Sequence, residues 1–302
     1  MRHSGWGSRL SLVVALLSLP AIGAGQARGL SGLDSAMAAR IGQDTATVGV
    51  ALIDLATGRM LGPGSDRRFH AASTMKVPVL IELARRVDAG DFHWDDSLVV
   101  RNAFRSLADG STFHLNKADD SDSSVYAMEG QRVPIRILAR LMIIRSSNFA
   151  TNLLIDQLGA ARVNATAHSL GADSIEVRRG VEDQKAFDLG MNNTTTARDL
   201  AILLAALQQG KAASPQSTAV ALGMLRGQEF NDGIPAGLPP GTVVAHKTGE
   251  LTAVFHDAAL IYPSSRAPYV LVVLTRGYVE RTKAMAVQAD LARLSWRALV
   301  GP

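Results

Sequence analysis

The sequence predicts an α/β protein in which strands from both ends of the chain build one layer and a helical domain is inserted between them. Three observations carry that prediction. Runs rich in β-branched and aromatic residues fall near the start (Thr47 to Asp54, Arg59 to Leu61) and near the end (Thr242 to His246, Ala253 to Tyr262, Tyr269 to Thr275). Helical patterns occupy the middle. No low-complexity tract or internal repeat interrupts the chain, so its mature part can fold as one domain or two closely packed ones.

Each element has a local reason. Leu33 to Ile41 carries an amphipathic pattern and predicts a first helix. The apolar run Thr47 to Asp54 reads as a buried strand, and Ala56-Thr57-Gly58 as the turn into the next. Phe69 to Ser73 leads into a helix from Thr74 to about Val87, closed at Ala89-Gly90. Residues Ala108 to Gly130, rich in Asp and Ser, predict an exposed loop or hairpin insertion. Pro134 to Arg145 is apolar on most sides and predicts a buried helix, followed by another from Phe149 to Leu158 that stops at Gly159. Thr196 with Asp199 forms a capping-box pattern before Leu200 to Leu207, and Ser214-Pro215 opens a further helix with Pro at its first position. A closing helix is expected from about Glu280 to Leu299.

The first 27 residues read as an export signal. Arg2 and Arg9 precede the apolar stretch Leu10 to Ile22, and the small residues Gly23, Ala24, Gly25 and Ala27 offer cleavage points. The apolar stretch is too short to span a membrane, and no second run approaches that length. Without a cysteine the chain has no disulfide, thiolate metal site or cysteine-linked lipid. A periplasmic or secreted protein is expected. The formal net charge of +4 comes from scattered arginines rather than from a basic stripe, which argues against nucleic acid.

Three short strings carry the chemistry: Ser73-Thr74-Met75-Lys76, Ser146-Ser147-Asn148 and Lys247-Thr248-Gly249. Two of the six lysines of the chain lie inside them. A Ser and a Lys three apart at a helix start share a face, where the helix N-terminus lowers both pKa values. That makes Ser73 a candidate nucleophile and Lys76 its proton acceptor. Ser146 is placed to pass a proton to a departing amine, and Asn148 to hold a substrate amide or the lysine. Lys247 and Thr248 suit a substrate carboxylate. Gly249 lets a substrate backbone approach, and the Glu250 amide can join that of Ser73 in an oxyanion hole. The seven histidines are scattered, and no zinc-protease, phosphate-loop, dinucleotide or nucleophile-elbow motif occurs, so no metal or cofactor is expected.

In this set the chain resembles the class A serine β-lactamases and their penicillin-binding relatives. The likeness extends to the context of each string, to Thr194-Thr195-Thr196 and to Ile234 to Leu238, and covers about Leu33 to Leu299. It implies a β-lactamase/transpeptidase-like α+β fold: an antiparallel sheet flanked by terminal helices, plus an inserted all-helical domain. The implied limits are 28–71 with 223–302 for the sheet domain and 72–222 for the helical one. It further implies an acyl-enzyme on Ser73 that a glutamate-activated water hydrolyses. Glu182, with Asp183 beside it, is the candidate for that glutamate.

Two departures stand out. Ser147 replaces the usual Asp of the second motif. The Leu-Asn pair that follows the family's glutamate is absent after Glu182, and the loop is shorter. Nor does an arginine follow Glu250 in its strand, which leaves Arg276 or Arg281 as substitutes for binding a substrate carboxylate. The expected activity is β-lactam hydrolysis by a monomer. A D-alanyl-D-alanine peptidase is the alternative, and an acylated, non-catalytic sensor ranks behind both. The substrate is then a small β-lactam or a cell-wall peptide.

Overall fold

The computed structural model describes residue 1 and residues 24–301, so most of the expected export signal lies outside the described residues. In chain order, α1 (Ala24–Ile41) precedes β1 (Thr47–Asp54), β2 (Met60–Leu61) and β3 (Phe69–His70). A 3₁₀ turn (Ala72–Met75) then runs into α2 (Lys76–Asp88). Short strands β4 (Ser97–Val99), β5 (Phe104–Arg105), β6 (Thr112–Phe113) and β7 (Arg132–Pro134) precede α3 (Ile135–Ile144), α4 (Asn148–Leu158) and α5 (Ala160–Ser169). Next come α6 (Gln184–Asp188), β8 (Thr194–Thr195), α7 (Ala197–Gln208) and α8 (Pro215–Arg226). The chain closes with β9 (Val243–Leu251), β10 (Val254–Tyr262), β11 (Tyr269–Arg276) and α9 (Arg281–Leu299).

Five of these strands pair in the order β2-β1-β11-β10-β9, antiparallel throughout. The sheet is therefore made from the two ends of the chain, as the strand-like runs predict. Alternation along β1 and β11 sends side chains to opposite faces. Val48, Val50, Leu52, Leu271 and Val273 join Leu33, Met37, Val287 and Leu291 of α1 and α9 in one core. Ala51, Ile53, Val270, Val272 and Leu274 join the second core with Leu200 and Leu204 of α7. Helix α2 is buried along Lys76 to Ala84 and packs among α4, α5, α7 and α8.

Several elements differ from expectation, among them α6, β4 and β7, which the residue patterns do not announce. Helix α1 starts at Ala24, inside the stretch read as a cleavage region, and buries Leu30, Leu33 and Met37 at helical spacing. Helix α5 had no sequence signal beyond Gly159. Strand β9 continues past His246 to Leu251, because pairing of Leu251 with Val254 carries the ladder to a tight connection. The Lys247-Thr248-Gly249 string thus lies in the middle of an edge strand. Among the described residues no helix is long and apolar enough to cross a membrane.

Candidate active site

The 3₁₀ turn decides how Ser73 meets Lys76. Residues i and i+3 eclipse in that geometry, and Lys76 Nζ donates to Ser73 Oγ at 2.9 Å. Ala72, just ahead of the serine, sits at a φ of 45°, a conformation that costs a non-glycine residue about 1–3 kcal/mol. The surroundings hold it there. The Ala72 N–H donates to His70 Nδ1 (3.0 Å), and the Ala71 N–H donates to the Asn193 carbonyl (2.8 Å). A Cβ on Gly249 would lie 3.0 Å from the amide nitrogens of Ser73 and Thr74, so only glycine lets β9 come this close to the turn.

Lys76 is fully buried and makes three further hydrogen bonds, to the Ser146 carbonyl (2.6 Å), Ser146 Oγ (3.1 Å) and Asn148 Oδ1 (2.9 Å). Burial pushes its ammonium down to about 7, against the pull of Asp120 and Glu182. Lys247 is buried too, donating to Ser146 Oγ (3.1 Å) and to the carbonyl of Thr248 (2.8 Å). Burial first, then the neighbouring Lys76 charge, holds it well below the usual lysine value. One hydroxyl, Ser146 Oγ, therefore joins both lysines. Its residue occupies a left-handed conformation (φ 59°) between α3 and α4.

Ser147 explains the missing aspartate of the second motif by its own bonds. It caps α4, its hydroxyl accepting from the Ala150 N–H and its carbonyl from Thr151 Oγ1 at 2.6 Å. Asp120, for which the sequence offered no motif, caps the same helix from 28 residues away: its two oxygens accept from the Asn148 and Phe149 amides, both at 2.9 Å.

Asn148 spans the site. Its Oδ1 takes the Lys76 bond, and its Nδ2 donates to Glu182 Oε1 at 2.6 Å. Glu182 (φ 62°) is not paired with either neighbouring arginine. Arg178 pairs with Glu176, and Arg179 donates to the carbonyls of Met191 and Gly180 and to Asn192. Burial raises the Glu182 carboxyl above its ordinary value, Asp120 and Asp119 add to this, and the Asn148 donor opposes it.

Asp183 has a different job. It caps α6 and accepts from Ser106 Oγ (2.8 Å) and the Leu107 N–H (2.7 Å), so both its oxygens are committed to structure. The loop is also fastened by Asn152, whose Nδ2 donates to the Val181 carbonyl (2.9 Å) and whose Oδ1 accepts the Val181 N–H (2.7 Å). The likeness of sequence covered Asn152 without giving it a role. Only its contacts across 29 residues reveal one.

Two cavities meet at Ser73, Asn148 and Glu250. One opens towards Glu182, Val181, Phe187 and His70. The other runs past Ser146, Thr248, Gly249 and Arg281. Of the two arginines offered as carboxylate binders, Arg281 reaches the cleft, while Arg276 stacks over the Phe69 ring instead; Arg179 lines the other cavity. No group of three or more metal-ligating side chains occurs among the described residues.

The sequence matches the family described as the beta-lactamase enzyme family over residues 32–299. It is 26% identical to a β-lactamase of Streptomyces albus G, an alignment covering 88% of this chain and 82% of that one. Among solved structures, an ancestral class A β-lactamase superposes with a TM-score of 0.76 at 28% identity, covering 88% of this chain and 100% of that chain. The protein PBP-A is equally similar: TM-score 0.76, 28% identity, and 89% and 96% of the two chains.

Proposed function

The chain belongs to the β-lactamase enzyme family, and we propose that it is an exported class A-type β-lactamase working through a Ser73 acyl-enzyme. The observation that carries this reading is the unbroken hydrogen-bond path Ser73–Lys76–Asn148–Glu182. It links an acylating end to a deacylating end within one cleft. Domain limits at 28–71 with 223–302 and at 72–222 go with the same proposal, as does a periplasmic or secreted location.

In the acylation step Ser73 Oγ attacks the lactam carbonyl carbon and gives its proton to neutral Lys76, 2.9 Å away. Burial makes the neutral amine available near pH 7. The oxyanion that forms is assigned to the backbone amides of Ser73 and Glu250, and the absence of a Cβ at Gly249 lets the strand approach the serine turn. As the C–N bond breaks, the ring nitrogen takes the proton of Ser146 Oγ, which either lysine can replace. In the second step Glu182 removes a proton from water. The resulting hydroxide attacks the ester carbonyl, the C–O bond to Ser73 breaks, and Ser73 Oγ takes back the proton that Glu182 removed, giving one ring-opened acid per water consumed. Asp183, committed to capping, is not offered as the base.

A D-alanyl-D-alanine peptidase is the second reading. The similarity to PBP-A favours it, as does the absence of the family's Leu-Asn pair after Glu182. Intact-mass measurement after mixing with a penicillin separates them. The parent should clear its adduct rapidly, and Glu182→Gln should hold it on Ser73. Turnover in Glu182→Gln equal to the parent would refute the deacylation role. A parent adduct that persists favours the peptidase, and neither adduct nor hydrolysis removes both readings.

A further inference from the structure

Arg281 is the guanidinium in the Ser146–Thr248 arm of the cleft, and its Nε–Nη2 fork is already taken. Nε and Nη2, the forked edge that a carboxylate grips with two parallel bonds, face Glu250. Nη2 donates to Oε1 at 2.7 Å, and Nε lies 3.0 and 3.1 Å from the two carboxylate oxygens. Nη1 donates to Asp232. One positive charge is therefore shared by two negative ones. Lys247 is buried behind this arm, where its amine donates to Ser146 Oγ and to the Thr248 carbonyl.

We propose that the side chain of Glu250 is a specificity-determining residue: it occupies the edge of Arg281 that would bind a substrate carboxylate, and so biases the cleft towards substrates that are uncharged at that end. The proposal rests on the acyl-enzyme reading above. The reasoning is geometric. Glu250 lines both cavities where they meet, and it stands in the strand that also supplies Thr248 and Gly249. A substrate carboxylate entering past Thr248 finds the Glu250 carboxylate on the forked edge of Arg281. Like charges in contact oppose binding, while an ester or amide at the same place carries no such penalty. Asp232 stays paired with Nη1, so replacing Glu250 by the isosteric Gln leaves Arg281 anchored while removing the negative charge that competes with an anion for its fork.

The test compares a chromogenic cephalosporin bearing its free carboxylate with the methyl ester of the same compound. For Glu250→Gln the ratio of kcat/KM, acid over ester, should rise at least fivefold over the parent, mainly through KM. In Glu250→Gln/Arg281→Ala the ratio should fall back towards the parent value. Both compounds should label Ser73 of the parent in a mass measurement, which checks the underlying reading independently. An unchanged acid-to-ester ratio in Glu250→Gln, with Ser73 labelling intact, overturns the role of Glu250 alone. So does a raised ratio that survives removal of Arg281. Absence of any Ser73 labelling overturns the acyl-enzyme reading and this inference with it.

Discussion

Replacing Asn152 by alanine should separate the two halves of the reaction. Asn152 contributes nothing to the Ser73–Lys76 contact, yet it clamps both polar groups of the Val181 backbone, one residue ahead of Glu182. Asn152→Ala removes two neutral hydrogen bonds, each worth about 1 kcal/mol net. The loop should therefore lose about 2 kcal/mol of its preference for the closed arrangement, which is roughly 30-fold at 1.4 kcal/mol per factor of ten. The left-handed conformation of Glu182 adds to the tendency to relax, since the strain is released once the clamp is gone.

Stopped-flow measurement with a chromogenic cephalosporin gives the acylation rate, and intact-mass sampling gives the adduct lifetime. The adduct should persist about 30-fold longer than in the parent, by the same free-energy conversion, while acylation changes by less than about threefold. A circular-dichroism melt should fall by only a few degrees, because the loss is local. Parallel loss of both rates would refute the reasoning, since it would place Asn152 in the support of Ser73. An unchanged adduct lifetime would refute it as well, because the loop would then hold Glu182 without the clamp.

Two further outcomes follow from the same geometry. Lys76, lowered to about 7 by burial, is protonated below that pH and neutral above it. Acylation rate should therefore climb as pH rises towards 7 and level off beyond. A rate that stays flat between pH 5 and 8 would remove Lys76 as the proton acceptor. Gly249→Ala places a methyl group 3.0 Å from two backbone nitrogens that have no room to retreat, so acylation should drop at least tenfold, with about 1–3 kcal/mol lost in a denaturant titration. Parent-like acylation in that variant would show that β9 does not need to lie so close to the serine turn.

Much of this architecture was legible in residue patterns because its causes are local. The β-branched runs at the two ends became the central sheet, and Thr196 and Ser214 cap α7 and α8 as their spacing predicted. The first two strings sit beside helices that carry their own short-range signals, while the third lies in the part of β9 beyond its apolar run. The loop around Glu182 was not legible. Choosing between Glu182 and Asp183 requires knowing that Ser106 and Leu107, 77 and 76 residues away, claim both oxygens of Asp183. Likewise, Arg281 looks like a free carboxylate receptor until Glu250 and Asp232 are seen beside it. Long-range pairing also explains why β9 outran its apolar pattern: β10 supplies the ladder partners that Gly249 to Leu251 could not announce by themselves.

The grip of the β5–β6 hairpin on Asp183 has a bearing on how such an enzyme adapts. The proposed nucleophile, proton acceptor and amine-protonating hydroxyl all lie among buried elements in the body of the protein, where nearly any change should damage bond formation itself. The loop that carries Glu182 is anchored elsewhere, through Asp183, by Ser106 and Leu107 between β5 and β6. On the mechanism proposed above, a designed library confined to residues 105–112 should change the life of the covalent intermediate more than its formation, making that lifetime a separately inherited trait.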